Sequence, residues 1–327
     1  MKPTSLILHF ILVLVLVGTA APALAWGPEG HEIIAAIAES YLTPMAKEQL
    51  QAIIGSTKRI ADPELSSWAD HIRYMKEYKS VYPGNGNWHF VDFNVTERYD
   101  ENFELRPDPN GNDVIGAIRR WTDELASNKI PLEHKLDAVR FVVHLVGDIH
   151  QPLHCAYRYG DMGGNMIPVH SFQGRNYSFD AETMMDFGQP SIHSVWDESM
   201  VYELLGSTRP RIMARKLQKE ITDDEFRKWS NDNILQWAID SYWRARKEVY
   251  RWPNGDPLPW KWARPGMDLT SENYIDARLP LVREQLKKGG VRLAYMINSA
   301  LDPDFLAEKT AARQKSVEKA EEKAAEK

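Results

Sequence analysis

The chain has 327 residues, 43% of them apolar and 26% charged, with a formal net charge of −6. That length and apolar content support a substantial core, in one large domain or two small ones. The negative balance excludes a protein that grips duplex nucleic acid along a broad basic groove. Any handling of phosphates must therefore rest on locally placed positive charge, such as metal ions.

Residues 1–25 place Lys2 before an apolar run from Leu6 to Val17 and close on Ala23-Leu24-Ala25. This is the small-x-small ending of a secretory leader, and the run is short for a membrane span. Cleavage there predicts an exported protein, periplasmic or secreted, that begins at Trp26 and inserts in no membrane afterwards. The chain has a single cysteine, Cys155. An exported protein of this size without an intrachain disulfide needs another source of stability, and bound metal is a candidate. The lack of bridges also favours a bacterial source, and Cys155 itself reads as a small buried apolar residue.

The mature part reads as helix after helix. Residues 29–42 place Ile33, Ile34, Ile37, Ala38 and Tyr41 at helical spacing and stop before Pro44. Helices follow over 44–54, over 113–127 with Val114, Ile118, Trp121 and Leu125 on one face, and over 132–148 with Leu136, Val139, Val143 and Val146 on another. More are predicted over 195–206, 209–220, 223–250 and 271–301. Strand alternation is limited to a hairpin near 166–180. Loops rich in Gly, Pro and Asn fall at 82–88, 106–112, 158–168, 186–190 and 252–268, within which 155–192 is the longest stretch without a strong helical pattern, a common setting for function. The Lys/Glu/Ala tail 308–327 has no apolar stripe and reads as a frayed helix or disorder. Sequons at Asn94 and Asn176 carry little weight. The fold expected is mainly α, with one domain over 26–307.

The chemistry is concentrated in His144-Leu-Val-Gly-Asp148-Ile-His150-Gln-Pro152-Leu-His154. His144 and Asp148 are four apart and share a helix face. Pro152 ends the helix, so His154 can return from the following turn. Trp68-Ala-Asp70-His71-Ile-Arg73, Trp88-His89-Phe90-Val91-Asp92 and His193-Ser-Val-Trp196-Asp197 supply further acids and imidazoles. The processed start adds Trp26, whose free amine and carbonyl can form a five-membered chelate, with His31 close by. Imidazole and carboxylate together suit Zn²⁺. Trp26, His31, Asp70, His89, His144, Asp148, His154, His193 and Asp197 are too many ligands for one tetrahedral zinc and about right for three, if Asp148 bridges.

Taken in order, Trp26-x4-His31, Trp-Ala-Asp70-x2-Arg73, His89-Phe90-x-Asp92, Asp148-x-His-Gln-Pro-x-His154 and His193-Ser-Val-Trp-Asp197 resemble the trinuclear-zinc nucleases of the S1/P1 type. The resemblance runs from Trp26 to about residue 300 and implies a helical fold with three Zn²⁺ at the base of a cleft. By position, Asp70, His89, His144 and Asp148 would hold one ion. Trp26, His31 and Asp148 would hold a second, and His154, His193 and Asp197 a third. It implies a monomeric endonuclease that cuts single-stranded DNA and RNA to 5′-phosphorylated products, with 3′-nucleotidase activity. Catalysis would fall to Asp70, orienting the attacking water, and to Arg73, facing the charge that develops on phosphorus. Phe90 would stack an unpaired base and Asp92 read its edge, while Gly163, Gly164 and Asn165 would let the loop approach the nucleotide. His71, His134, His150 and His170 stand outside the ligand set, with His150 either a support to it or a structural residue. The chain departs from eukaryotic members in lacking their disulfides, and its loop between His154 and His193 is longer than in the fungal ones. Two other readings are a zinc phospholipase C and a non-catalytic exported zinc-binding protein. The three-ligand third set, which leaves a position open, speaks against the latter.

Overall fold

The computed structural model describes residues 26–73, 75–95, 104–158, 160–172, 175–176, 190–259, 267–269, 273–312 and 314. The leader 1–25 and the tail beyond 314 lie outside the described residues, as do Thr96, Tyr177 and Ser178 of the two sequons.

Local chemistry accounts for the helix ends. Pro28 opens α1 (Pro28–Glu39), where its missing N–H and fixed φ suit the first turn. Thr43 caps α2 (Pro44–Ile54) by accepting the Ala46 N–H, and Gly55 ends it at φ 93°. Three short helices that the sequence pattern does not announce follow: α3 (Pro63–Ser66), α4 (Trp68–Arg73) and α5 (Lys76–Val81). Asp113 caps α6 (Val114–Ala126) through the Gly116 N–H, and α7 (Leu132–Asp148) comes next. A 3-10 turn, Pro152–Cys155, leaves α7. The expected hairpin forms from β1 (Val169–Phe172) and β2 (Arg175–Asn176), antiparallel with Ser171 opposite Asn176. A third strand not foreseen, β3 (Met267–Asp268), pairs parallel to β1.

The helix expected at 195–206 starts earlier. It is α8 (Ile192–Ser194), a π turn at Val195–Ser199 and α9 (Met200–Leu205). After α10 (Pro210–Glu220), the single helix expected over 223–250 divides into α11 (Asp223–Trp229) and α12 (Ile234–Arg244), followed by a π turn at Ala245–Val249. The break has a physical cause in Ser230-Asn231-Asp232-Asn233, whose short polar side chains compete for backbone hydrogen bonds. Asn231 Oδ1 takes the Trp237 indole N–H and the Asn233 N–H, while Asn233 caps α12 through Gln236 N. The last long helix, α13 (Tyr274–Leu301), carries Pro280 in its second turn, and residues 303–312 are helical as well.

α7 is the central element. α6, α13, α1 and the short helices α3 and α4 all pack on it. The apolar side chains form one continuous core that reaches from Trp26 to Leu301, so the single-domain, mainly α expectation holds. Trp121 stacks on Phe141 at 4.3 Å, and Trp68 and Trp88 meet the same ring edge-on at 5.3 and 5.4 Å. Aromatic pairs of this kind add to burial itself, and here they fix the segments on either side of α7. Arg140 and Arg120 close the outer faces of Trp68 and Trp88.

α1 lies against α13. A Cβ on Gly290 would lie 2.4 Å from Cγ2 and 2.5 Å from Cβ of Ile37, so only glycine permits this contact. Gly290→Ala should therefore overpack the interface at a cost of about 1–3 kcal/mol, partly offset by ~1 kcal/mol of helical preference for alanine. A lower urea midpoint is the expected result. An unchanged midpoint would mean that the two helices separate freely.

Candidate metal centre

Six parts of the chain deliver the ligand-type side chains. The first turn of α1 brings His31, α4 brings Asp70, and the run of turns after α5 brings His89. The last turns of α7 bring His144 and Asp148, and the 3-10 turn brings His154. His193 and Asp197 come from α8 and the π turn behind it, a local widening often found at functional sites. All eight are buried. A tryptophan beside each outlying motif anchors it: Trp68 and Trp88 enter the aromatic cluster, and the Trp196 indole donates to Tyr274 Oη at 3.0 Å.

Three groups result, two of which share His144. His31, His144 and Asp148 form one, Asp70, His89 and His144 another, and His154, His193 and Asp197 the third, with one ligand atom per residue within 4.8 Å of the others in each. Asp148 faces both of the first two. Its Oδ1 lies 3.3 Å from His31 Nε2, while its Oδ2 lies 2.9 Å from His89 Nδ1 and 3.4 Å from His144 Nε2. Trp26 is fully buried at the edge of the cluster. The Gly27 N–H donates to the Asp197 carbonyl at 2.8 Å, and a Cβ on Gly30 would lie 2.8 Å from Trp26 Cβ. The start of the described chain is thus wedged between His31 and Asp197.

Hydrogen bonding tests whether these groups suit a cation. His154 Nδ1–H donates to the His89 carbonyl at 2.6 Å, and His193 Nδ1–H to the Gly163 carbonyl at 2.6 Å. In a neutral imidazole the other nitrogen then carries a lone pair. Those two Nε2 atoms lie 3.2 Å apart, and His193 Nε2 lies 3.4 Å from Asp197 Oδ2. Lone pairs facing each other and a carboxylate in a buried site repel, unless a positive charge lies among them. His144 repeats the pattern, with its Nδ1–H on the Ser66 carbonyl at 2.8 Å and Nε2 turned to Asp70 and Asp148. Asp70 Oδ1, Asp148 Oδ1, Asp197 Oδ2, His144 Nε2 and both nitrogens of His31 have no hydrogen-bond partner although buried. The donor set fits metal ions well.

The titration behaviour agrees for four of the imidazoles. Burial pushes His31, His89 and His154 well below the ordinary histidine range, and His193 down to about 4. Neutral imidazole is the form that ligates a metal. Burial also raises the carboxyls of Asp148 and Asp197. At His144 burial opposes the charged form, but Asp148 and Asp70 outweigh it and lift the group to about 9. Asp70 moves down, because His144 and His31 outweigh the effect of its burial.

The other sequence-picked residues surround this cluster. Arg73 ends α4 one turn beyond Asp70, donates to the Gly86 carbonyl at 3.0 Å, and its charge acts on Asp70, Asp148, His89 and His154. Phe90 is half-buried and Asp92 exposed, both beside His89. Burial and the neighbouring Asp161 raise the Asp92 carboxyl. Gly163 and Gly164 do something the sequence reading did not foresee. Their φ values are 62° and 89°, and a Cβ would lie 2.8 Å from the Leu153 carbonyl and 2.6 Å from Ile192 Cγ2, respectively. The glycine pair lets the loop press against the turn that holds His193. Asn165 folds its amide back onto the Met162 carbonyl at 2.8 Å. His150 is a support, with Nδ1–H on the Val146 carbonyl and Nε2 accepting from Arg292. His71 donates to Ser67 O, His134 pairs with Glu124, and the His170 side chain lies outside the described residues. Missed altogether were the carbonyls of Ser66 and Gly163 and the glycine at Gly147, where a Cβ would lie 2.5 Å from His31 Nδ1. Only the last had a sequence signal, a glycine inside an otherwise apolar helix.

A helical fold with overlapping His/Asp groups at the end of its central helix defines a multi-metal enzyme scaffold. Residues 26–302 match the model of the S1/P1 nuclease family, and the chain belongs to that family. It is 31% identical to Endonuclease 4 of Arabidopsis thaliana, over 88% of this chain and 93% of that protein. It is 29% identical to Nuclease P1 of Penicillium citrinum (84% and 97%) and 27% identical to Nuclease S1 of Aspergillus oryzae (84% and 91%). The protein is a nuclease, and the phospholipase C and non-catalytic readings fall away.

Removing divalent metal should destabilise the fold, because the frustrated groups would lose their counter-charge. Each site populated at 100 times its Kd contributes about 2.7 kcal/mol. Melting in chelator should therefore occur at lower temperature and recover on adding zinc. A melting curve indifferent to chelator would contradict the fit.

Proposed function

We propose that this chain is an exported, monomeric, zinc-dependent endonuclease that holds three Zn²⁺ and cuts single-stranded DNA and RNA to 5′-phosphorylated products, with 3′-nucleotidase activity. The observation that carries the reading is the set of three buried groups, two of them sharing His144, with the two oxygens of Asp148 turned to His31 and to His89. Asp70, His89, His144 and Asp148 would hold one ion. His31 and Asp148 would hold a second together with the amine and carbonyl of Trp26, freed by removal of the leader. His154, His193 and Asp197 would hold the third and leave a position for substrate. Among the described residues no helix is long and apolar enough to cross a membrane.

Zinc, when bound, supplies Lewis acidity toward water and phosphate oxygens. The chain supplies the rest. Asp70 keeps its carboxylate charged, so besides ligating it can accept a proton-bearing contact from an attacking water and aim it. Arg73 would place its guanidinium charge where phosphorus gains negative charge. Phe90 offers an apolar face to a splayed base and Asp92 a polar edge reader, which favours strands without pairing. Gly163, Gly164 and Asn165 shape the loop on the nucleotide's other side.

Cleavage of end-labelled oligonucleotides tests this directly. Single strands should be cut much faster than the matching duplex, leaving 5′-phosphate and 3′-hydroxyl ends. Phe90→Ala should weaken oligonucleotide binding by about 1–3 kcal/mol at unchanged zinc content. Equal rates on single and double strands, together with unchanged binding by the variant, would overturn the substrate assignment.

A further inference from the structure

Gln151 lies between the last helical turn of α7 and the 3-10 turn that carries His154, and it is fully buried. Both ends of its amide are engaged. Its Oε1 accepts the Leu153 N–H at 2.6 Å, which caps the 3-10 turn. An amide oxygen that accepts a backbone N–H leaves the nitrogen end as donor, so the orientation of the group is fixed. Its Nε2 donates to Asp197 Oδ1 at 2.5 Å. The other oxygen of that carboxylate, Oδ2, has no hydrogen-bond partner and lies 3.4 Å from His193 Nε2.

We infer that Gln151 is the positioning residue of the His154–His193–Asp197 group: it selects Asp197 Oδ2 as the metal-facing oxygen and locks His154 to Asp197 through one side chain. This rests on the reading of that group as a metal site. Three features of the neighbourhood support it. A carboxylate is free to rotate about its last bond, and a donor on one oxygen removes that freedom. The π turn that bears Asp197 is gripped from its backbone side by the Gly27 N–H, so Gln151 controls what remains, the orientation of the carboxylate. Gln151 also follows Asp148 by three residues, with its N–H on the Asp148 carbonyl at 2.9 Å, so the clamp ties the third group to the end of the helix that serves the other two.

The cap and the clamp can be separated by chemistry. Gln151→Glu keeps an oxygen for the Leu153 N–H but replaces the donor facing Asp197 with a second acceptor. Gln151→Met keeps the volume and loses both bonds without adding charge. Chelator competition on the zinc-loaded proteins, with circular dichroism to confirm the fold, reads the affinity of each bound ion. The clamp expects both variants to hold one ion about 10- to 100-fold more weakly, the usual effect of losing a support to a ligand, with the remaining ions unaffected. A Gln151→Glu protein that keeps every affinity would show that the residue acts only as a cap and overturn the inference. If Gln151→Glu does not fold, Gln151→Met decides in the same way, and unchanged affinities there would also overturn it. The wild-type zinc count, measured in the same titration, tests the three-ion reading separately: three ions in the wild type with unaltered variants sinks the clamp alone.

Discussion

The rest of the structure depends on a repulsion that protein atoms alone do not relieve. The neutral imidazoles of His154 and His193, each with its Nδ1–H given to a backbone carbonyl, turn bare nitrogens toward each other and toward the buried Asp197 carboxylate. Bringing such groups together costs several kcal/mol without compensation, and a divalent cation converts the same geometry into the strongest contacts in the molecule. The chain has one cysteine, buried and unbridged. With no intrachain disulfide to cross-link it, metal-held contacts between α1, α4, α7 and the 192–199 segment are the natural replacement. They join parts of the chain more than a hundred residues apart, from His31 to Asp197, at one point.

The helical frame makes this convergence possible. α7 is fixed on its sides by α6, α13 and α1, and its last two turns present His144 and Asp148 on one face. The glycine contacts at Gly289 and Gly290 draw α1 close enough for His31 to reach Asp148, and Gly147 leaves room for the imidazole against α7. The aromatic cluster around Phe141 does the corresponding work for Asp70 and His89 by holding Trp68 and Trp88. Phe90 and Asp92 are more exposed than the ligands they neighbour, so the recognition proposed for them would fall at the mouth of the same site. This division places positive charge locally and agrees with the net charge of −6.

Much of the fold and of the cluster was legible in the sequence, for reasons that differ by element. The apolar periods of α6 and α7 are long enough to outweigh local noise, and His144 with Asp148 follows from helix geometry alone. His89, His193 and Asp70 were legible because each lies beside a tryptophan in a short polar segment. The short helices α3 to α5 have too few residues to show a period, and the break at 230–233 was hidden by apolar residues on both sides of it. β3 is set by a partner far away in sequence. What no pattern could show is which backbone carbonyl receives each Nδ1–H, since Ser66 and Gly163 contribute atoms common to every residue. The same holds for Gly163 and Gly164, which reads as nucleotide-approach glycines in sequence and as a seat for the His193 turn in space.

The central claim is that the three His/Asp groups hold three zinc ions around a chain that begins at Trp26. Anomalous diffraction at the zinc edge from crystals of the processed protein tests it most directly. Three zinc peaks are expected, one bounded by Asp70, His89 and His144, one by His31, Asp148 and the Trp26 amine, and one by His154, His193 and Asp197. A single peak, or zinc located away from these residues in fully active protein, would contradict it.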